Sequence, residues 1–264
     1  MEQRRMQLNV DDRGIAWITL AASPLNLFSV QLTRDLDAIL DHIETRNDIR
    51  VVVFEKAEEA RAFSAGSDIR EFSEFIRRQN VIEAKLAPEN RVFTRVEQLS
   101  HPTLASLQGW VLGSGLELAI ACDFRIAGHD SRLGFPEITL GAFPGSGGLF
   151  RLPELVGLPK ALELILFGEH ITAQEALRIG LVHRVLPPQD LNAAVVQWAG
   201  TLAQRPPRAM ALAKQVMRAT ANRHRADITE DALRASQMAF AGTELPHGIS
   251  AFLQKQRASF GRSS

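Results

Sequence analysis

The chain has 264 residues, 45% of them hydrophobic, with 30 basic residues balanced by 30 acidic ones, so it can bury a sizeable core and is too apolar to be disordered. Zero formal net charge leaves no global field to draw in nucleic acid or an anionic membrane, so any anionic ligand must be held by a local site. The single cysteine, Cys122, cannot form an internal disulfide and lies in an apolar run, which predicts a small buried hydrophobe and a reducing, cytoplasmic setting.

Arg4 and Arg5 are followed by no apolar segment of the kind a secretory signal needs. The stretch LVGLPKALELILFG is interrupted by Pro159, Lys160 and Glu163, and no bilayer-spanning helix is expected. Short strands are predicted at GIAWITLA and RVVVFE, separated by a helix on which Leu32, Leu36, Ile39 and Ile43 recur at helical spacing. A polar connector, KAEEARAFSAGSD, leads to a helix from about Asp68, with Ser67 as its expected N-cap. A second unit repeats the plan: one strand, TLASLQGWV, a glycine turn, LGSG, and a helix, LELAIAC. A third strand, DFRIAG, precedes the glycine- and proline-rich RLGFPEITLGAFPGSGG, which ends at a helix from about Leu149. From about Thr172 the chain reads as helical apart from a short strand, VHRVL. The helical segments are AQEALRIG, DLNAAVVQWAGTLAQ, RAMALAKQVMRAT, ADITEDALRASQMAFA and PHGISAFLQKQRASF. Their apolar faces are expected either to fold back on the core or to meet another subunit.

Within this plan Glu117 is out of place. The residues three and four positions away on its helix are Gly113, Ser114, Ile120 and Ala121, so no charged or amide side chain shares its face. Such a carboxylate is exposed, paired at long range, or tuned for chemistry. Glu137, twenty residues on, is again set among apolar residues and glycines. Two carboxyls in dry surroundings have raised pKa values, which lets one act as an acid and the other as a base near neutral pH. Two glycine turns, SAGSD and LGSGLE, each offer a backbone N–H near a helix start, at Ser67 and Ser114, and two converging amides stabilise a negative oxygen. His42, His101, His129, His170, His183, His224 and His247 are scattered without ligand spacing, so no metal site is expected. Read as a dinucleotide fingerprint, LGSGLELA lacks its third glycine, since Leu118 stands there.

Four stretches, RAFSAGSDIREF (61–72), HPTLASLQGWVLGSGLELAIACDFRIA (101–127), LGFPEITLGAFPGSGG (133–148) and GEHITAQEALRIGLVHRV (168–185), resemble the consecutive motifs of the enoyl-CoA hydratase/isomerase, or crotonase, family. The resemblance runs from about residue 7 to the C-terminal GISAFLQKQRASF. It implies an α/β fold, a spiral of β-β-α turns over residues 1–200 carrying the acyl-CoA site, followed over residues 201–264 by a helical region for trimerisation and site completion.

The implied activity is that of a hydro-lyase adding water reversibly to a trans-2-enoyl-CoA, with an enoyl-CoA isomerase or a dehydratase of a specialised acyl-CoA as the alternative. The resemblance also implies an oxyanion hole from the N–H groups of Ser67 and Ser114, catalysis by Glu117 and Glu137, and contacts to coenzyme A from Ala65, Phe252 and Lys255. No cofactor is implied, since coenzyme A is part of the substrate, and the assembly implied is a homotrimer or a dimer of trimers. Two positions depart from the family pattern. Ser114 stands where many members have glycine, and Ser23 stands where a basic residue often meets the coenzyme A phosphates, a part left here to Arg70 or Lys255.

Overall fold

The computed structural model describes residues 5–205, 207–221, 233, 237, 241, 242 and 244–256. The chain opens with the hairpin β1 (Met6–Val10) and β2 (Ile15–Leu20), then α1 (Val30–Glu44). Ser29 caps α1, its hydroxyl accepting from the Leu32 amide at 3.1 Å; Leu32, Leu36 and Ile43 of the predicted stripe are buried, while Leu40 is buried in place of the predicted Ile39, which is half-buried at the edge of the core.

Three β-β-α turns follow. The first is β3 (Val51–Lys56), β4 (Ala62–Ser64) and α2 (Ile69–Arg77), extended by a π-turn (Ile82–Leu86) and α3 (Ala87–Gln98). The second is β5 (Thr103–Leu107), β6 (Trp110–Leu112) and α4 (Ser114–Ala121). The third is β7 (Phe124–Gly128), β8 (Arg132–Gly134) and a 3₁₀ turn (Pro136–Leu140). Each turn contributes one strand to each of two sheets. The larger sheet has the order β1-β2-β3-β5-β7-β10, with β10 at Arg184–Leu186, and is parallel except for β1. The smaller sheet has the order β4-β6-β8-β9, where β9 (His170–Thr172) runs antiparallel to β8. The predicted α/β spiral of β-β-α turns is thus the observed architecture.

Both faces of the larger sheet are covered, which is why its strands read as continuous apolar runs and not as alternating ones. Val52, Phe54, Ala105 and Leu107 face the main core, with α1, α3 and α4. Val51, Val53, Leu104 and Ile126 face α8 (Pro188–Ala203), which presents Leu191, Val195 and Ala199. In chain order α5 (Gly148–Val156), α6 (Leu158–Phe167) and α7 (Ala173–Arg178) come between α4 and α8, and they add Leu152, Leu164 and Ala176 to the main core.

The run TLASLQGWV is not one strand. The chain turns at Gly109, whose φ of +68° lies in the left-handed region, and crosses from one sheet to the other. A Cβ at this position would strike the carbonyl oxygen of Arg61. Gly109→Ala should therefore destabilise the fold by on the order of 2–4 kcal/mol in urea titration. Gly200→Ala, inside α8 with only the end of Arg13 nearby, should stabilise it by about 0.5–1 kcal/mol.

Beyond α8 come α9 (Pro207–Ala221) and α10 (Glu244–Leu253). Lys214 and Arg218 tie α9 to Asp123 at 2.7 and 3.0 Å. The predicted segment ADITEDALRASQMAFA falls largely outside the described residues. Of the two fates open to the C-terminal helices, α10 folds back on its own chain: Leu245 and Ile249 are buried against Phe72, Val81 and Leu86. Cys122 is buried as expected, and burial pushes its thiol up to about 12. No described helix is long and apolar enough to cross a membrane.

Candidate active site

Apart from Ser114 and Glu117 the helix α4 is apolar, and every one of its residues is buried, so it passes through the core with its N-terminus aimed at a cavity. The cavity has a volume of about 610 Å³. Its walls are Leu25, Leu27, Phe72, Leu86, Leu140 and Phe143, with Leu245, Ile249, Phe252 and Leu253 closing it from α10. Its polar end is formed by Ser67, Ser114, Glu117, Glu137 and Ser146.

Glu117 is 2% exposed, and its partners come from outside its helix. Its Oε1 accepts from the backbone N–H groups of Ser146 and Gly148, each at 2.8 Å. Both donors belong to the glycine-rich turn that opens α5, and no side-chain pattern announces a main-chain donor. Burial pushes the Glu117 carboxyl well above its ordinary range, the charges of Glu137 and Glu89 push it further, and the two amides pull the other way. Glu137 sits on the 3₁₀ turn. Part of the residue touches the cavity surface, but its Oε2 is inaccessible and has no hydrogen-bond partner. Burial, and to a smaller degree the charge of Glu89, raise this carboxyl to about 8, against a lesser pull from its own main-chain N–H.

Ser67 and Ser114 are brought together, their hydroxyl oxygens 2.7 Å apart. Ser67 is not the N-cap of α2. Asp68 holds that place in extended conformation, its carboxylate accepting from the Arg70 amide at 3.2 Å, and the Ser67 hydroxyl is turned inward to Ser114. A parallel bridge pairs Ser67 with Phe28: the Phe28 amide donates to the Gly66 carbonyl, and the Asp68 amide to the Phe28 carbonyl. In such a bridge the intervening residue turns its own N–H away from the partner strand. The N–H of Ser114, at the first position of α4, has no intrahelical acceptor. Gly113, just before it, has φ +50°, and a Cβ there would lie 2.9 Å from Glu137 Oε1.

The family-pattern departure at Ser114 does not crowd the cavity. The residue is 4% exposed, and its hydroxyl is drawn back to Glu89 Oε1 at 2.6 Å. Of the other positions singled out from the sequence, Ala65, Arg70 and Phe252 line the cavity and Lys255 does not. The Arg70 guanidinium is paired with Asp68, at 2.8 and 2.6 Å. Among the described residues no group of three or more His, Cys, Asp or Glu side chains is placed to hold a metal.

The polar composition of EFIRRQNVIEAKLAPEN, residues 74–90, predicts a mobile lid over the acyl group. Its second half is instead a structural wall. Val81, Lys85, Leu86, Glu89 and Asn90 are buried, with Lys85 and Glu89 paired at 2.7 Å and Asn90 donating to the Gly145 carbonyl at 3.0 Å.

The enoyl-CoA hydratase/isomerase family model matches residues 11–263. The chain belongs to this family. It is 36% identical over 255 residues, 94% of this chain and 96% of the relative, to a Bacillus subtilis protein named "Probable enoyl-CoA hydratase". It is 38% identical over 195 residues, 73% of each chain, to the short-chain-enoyl-CoA hydratase of Clostridium acetobutylicum. The crystal structure of an enoyl-CoA hydratase from Bacillus anthracis matches with a TM-score of 0.77 at 32% identity, covering 97% of this chain and 99% of that one. The cavity with two dry carboxyls at one end and apolar walls beyond it lies within the residues that the enoyl-CoA hydratase/isomerase family model matches.

Proposed function

We propose that this protein is an enoyl-CoA hydratase, a hydro-lyase that adds water reversibly across the double bond of a trans-2-enoyl-CoA. The observation that carries the reading is the pair of dry carboxyls, Glu117 and Glu137, facing one apolar cavity beside the two abutting loops of Ser67 and Ser114.

The thioester oxygen is held by the N–H groups of Ser67 and Ser114, with the N-terminus of α4 behind them, so that charge moving onto this oxygen meets fixed dipoles. That polarisation makes the β-carbon electrophilic. Glu117 has two amides from a facing loop on Oε1, whereas Glu137 has its own main-chain N–H alone and an Oε2 without a donor; on this difference in donors the one negative charge of the pair is assigned to Glu117 and the proton to Glu137. Glu117 then takes a proton from the attacking water, a C–O bond forms at the β-carbon, and Glu137 gives its proton to the α-carbon as the enolate collapses. The proton taken by Glu117 returns to Glu137 through solvent, and the cycle closes. Addition of water changes no net oxidation state, and these groups suffice for it. An isomerase needs only one such acid, so the presence of two favours hydration.

The apolar walls suit an uncharged aliphatic acyl chain. Ala65, Arg70 and Phe252 at the cavity, with Lys255 beyond it, are the residues read as meeting coenzyme A. Exposed Leu158, Leu162, Leu166 and Phe167 on α6 support assembly into a trimer or dimer of trimers, which light scattering checks as a mass of three or six chains. The reaction itself is tested with unbranched trans-2-enoyl-CoA substrates from four to ten carbons, followed by loss of the conjugated thioester's ultraviolet absorbance. Turnover of at least one of them is expected. Folded protein that turns over none contradicts the reading.

A further inference from the structure

Behind the polar end of the cavity lies a second, fully buried set of charges that the hydration steps do not use. Lys85, on the π-turn, and Glu89, one turn later at the start of α3, form an ion pair with both side chains at 0% exposure. Glu89 Oε2 lies 2.7 Å from Lys85 Nζ. Glu89 Oε1 accepts from two hydroxyls, that of Ser114 at 2.6 Å and that of Ser146 at 2.9 Å. Lys85 Nζ also donates to the Phe28 carbonyl at 2.6 Å, the same carbonyl that receives the Asp68 amide.

These contacts fix the direction of every proton in the chain of hydroxyls. A serine has one O–H to donate. The proton of Ser114 goes to Glu89, so the 2.7 Å contact between the two serines is Ser67 donating to Ser114. Neither hydroxyl keeps a proton for a ligand, and the main-chain amides are left as the donors at this point. The same carboxylate oxygen grips Ser146, whose N–H is one of the two that hold Glu117. One buried oxygen is therefore anchored to both of the loops that matter: the 113–114 turn with its oxyanion amide, and the 145–148 turn with its grip on Glu117. Through Lys85 and the Phe28 carbonyl the pair reaches the third loop, residues 66–68.

We propose that Glu89, paired with Lys85, is a positioning residue for the hydration reaction, setting the relative placement of the Ser67 and Ser114 amides and of the Glu117 carboxylate through the hydroxyls of Ser114 and Ser146. The proposal rests on the hydratase reading for its catalytic consequence but not for its geometry. A buried carboxylate needs hydrogen bonds to satisfy its lone pairs, but any nearby donors would serve that need, and replacing a buried pair by well-packed apolar residues of similar volume is often neutral for stability. Here two hydroxyls from two separate loops converge on one oxygen, an arrangement that transmits position.

The test uses Glu89→Gln and, because that change leaves Lys85 buried without its counter-charge, also the neutralised double variant Lys85→Met/Glu89→Gln. Two quantities are read. The first is the split of kcat and KM on the best trans-2-enoyl-CoA. The second is the carbonyl stretching band of a bound saturated acyl-CoA labelled with ¹³C at the thioester, which reports polarisation by the amides and needs no turnover. In a folded variant kcat should fall 10- to 100-fold with KM and acyl-CoA affinity within threefold, and the bound carbonyl band should move at least halfway back to its position in free acyl-CoA. In a Ser114→Ala/Ser146→Ala background the neutralised pair should change kcat less than threefold further, because the connection it works through is already cut.

A folded variant with kcat and carbonyl band unchanged would overturn the proposal, as would a loss confined to KM, or an undiminished loss in the Ser114→Ala/Ser146→Ala background. If the wild type hydrates no enoyl-CoA yet its bound carbonyl band is shifted and the variants abolish that shift, the hydratase reading fails and the positioning role stands.

Discussion

Glu117→Gln and Glu137→Gln should each lower kcat for enoyl-CoA hydration by about 10³-fold or more, with acyl-CoA affinity changed less than threefold, as stopped-flow absorbance and calorimetric titration would show. General acid–base catalysis typically contributes about 10²–10⁴-fold. Here the further carboxylate whose charge reaches both of them, Glu89, is tied to Lys85 and two serines and so is no substitute for either. Glutamine keeps the shape of the site, and at Glu117 its carbonyl oxygen can still accept from Ser146 and Gly148, so the fold and the acyl cavity are preserved. The double variant should lose little more than either single one, since a water that cannot be deprotonated gains nothing from an acid waiting at the neighbouring carbon. Affinity falling in parallel with kcat would instead assign these residues to binding.

The second large effect is on stability and its pH dependence. The Glu137 carboxyl is held at about 8 in the folded chain against an ordinary value of 4.5. Between those two values the native state keeps a proton that the unfolded chain has released. The unfolded state thus binds fewer protons, and raising the pH lowers stability until the folded group also ionises near 8. Glu137→Gln cannot ionise, so it should be more stable than wild type by on the order of 2–4 kcal/mol at pH 9, and equal to it at pH 4. Chemical denaturation at the two pH values checks this. A variant less stable than wild type at pH 9 would mean that the carboxyl is not dry. The gain in stability on losing a catalytic acid is what a site held in an unfavourable charge state for chemistry should show.

Much of this architecture is legible in the sequence alone. The apolar stripe of α1, the glycine turns ahead of α2 and α4, and the twenty-residue spacing of Glu117 and Glu137 are local patterns, and local patterns survive folding. The strand pair β5 and β6 is hidden because TLASLQGWV reads as one largely apolar run. Only the left-handed conformation of Gly109 divides it between two sheets. At the start of α2 the sequence offers two adjacent capping residues, Ser67 and Asp68, and the inward hydrogen bond that diverts Ser67 is made to a residue 47 positions away.

The partners of Glu117 have no trace in the sequence. They are main-chain amides 29 and 31 residues along the chain, and an amide has no side-chain signature. Lys85 and Glu89 mislead for the opposite reason. A Lys and a Glu four residues apart are the usual mark of a solvated helix face. What makes this pair different is the enclosing of its turn by Leu86, Val81 and the returning α10, a long-range event.

The division of labour between Glu117 and Glu137 is the point on which the mechanism turns, and it can be measured without hydration. A saturated acyl-CoA held in D₂O at pH 9 exchanges its α-protons only if a base of the protein stands at the α-carbon and amides stabilise the resulting enolate. Mass spectrometry should find deuterium entering the α-position with wild type and with Glu117→Gln, and not with Glu137→Gln. Exchange lost in Glu117→Gln and kept in Glu137→Gln would contradict the assignment of Glu137 to the α-carbon and Glu117 to the water.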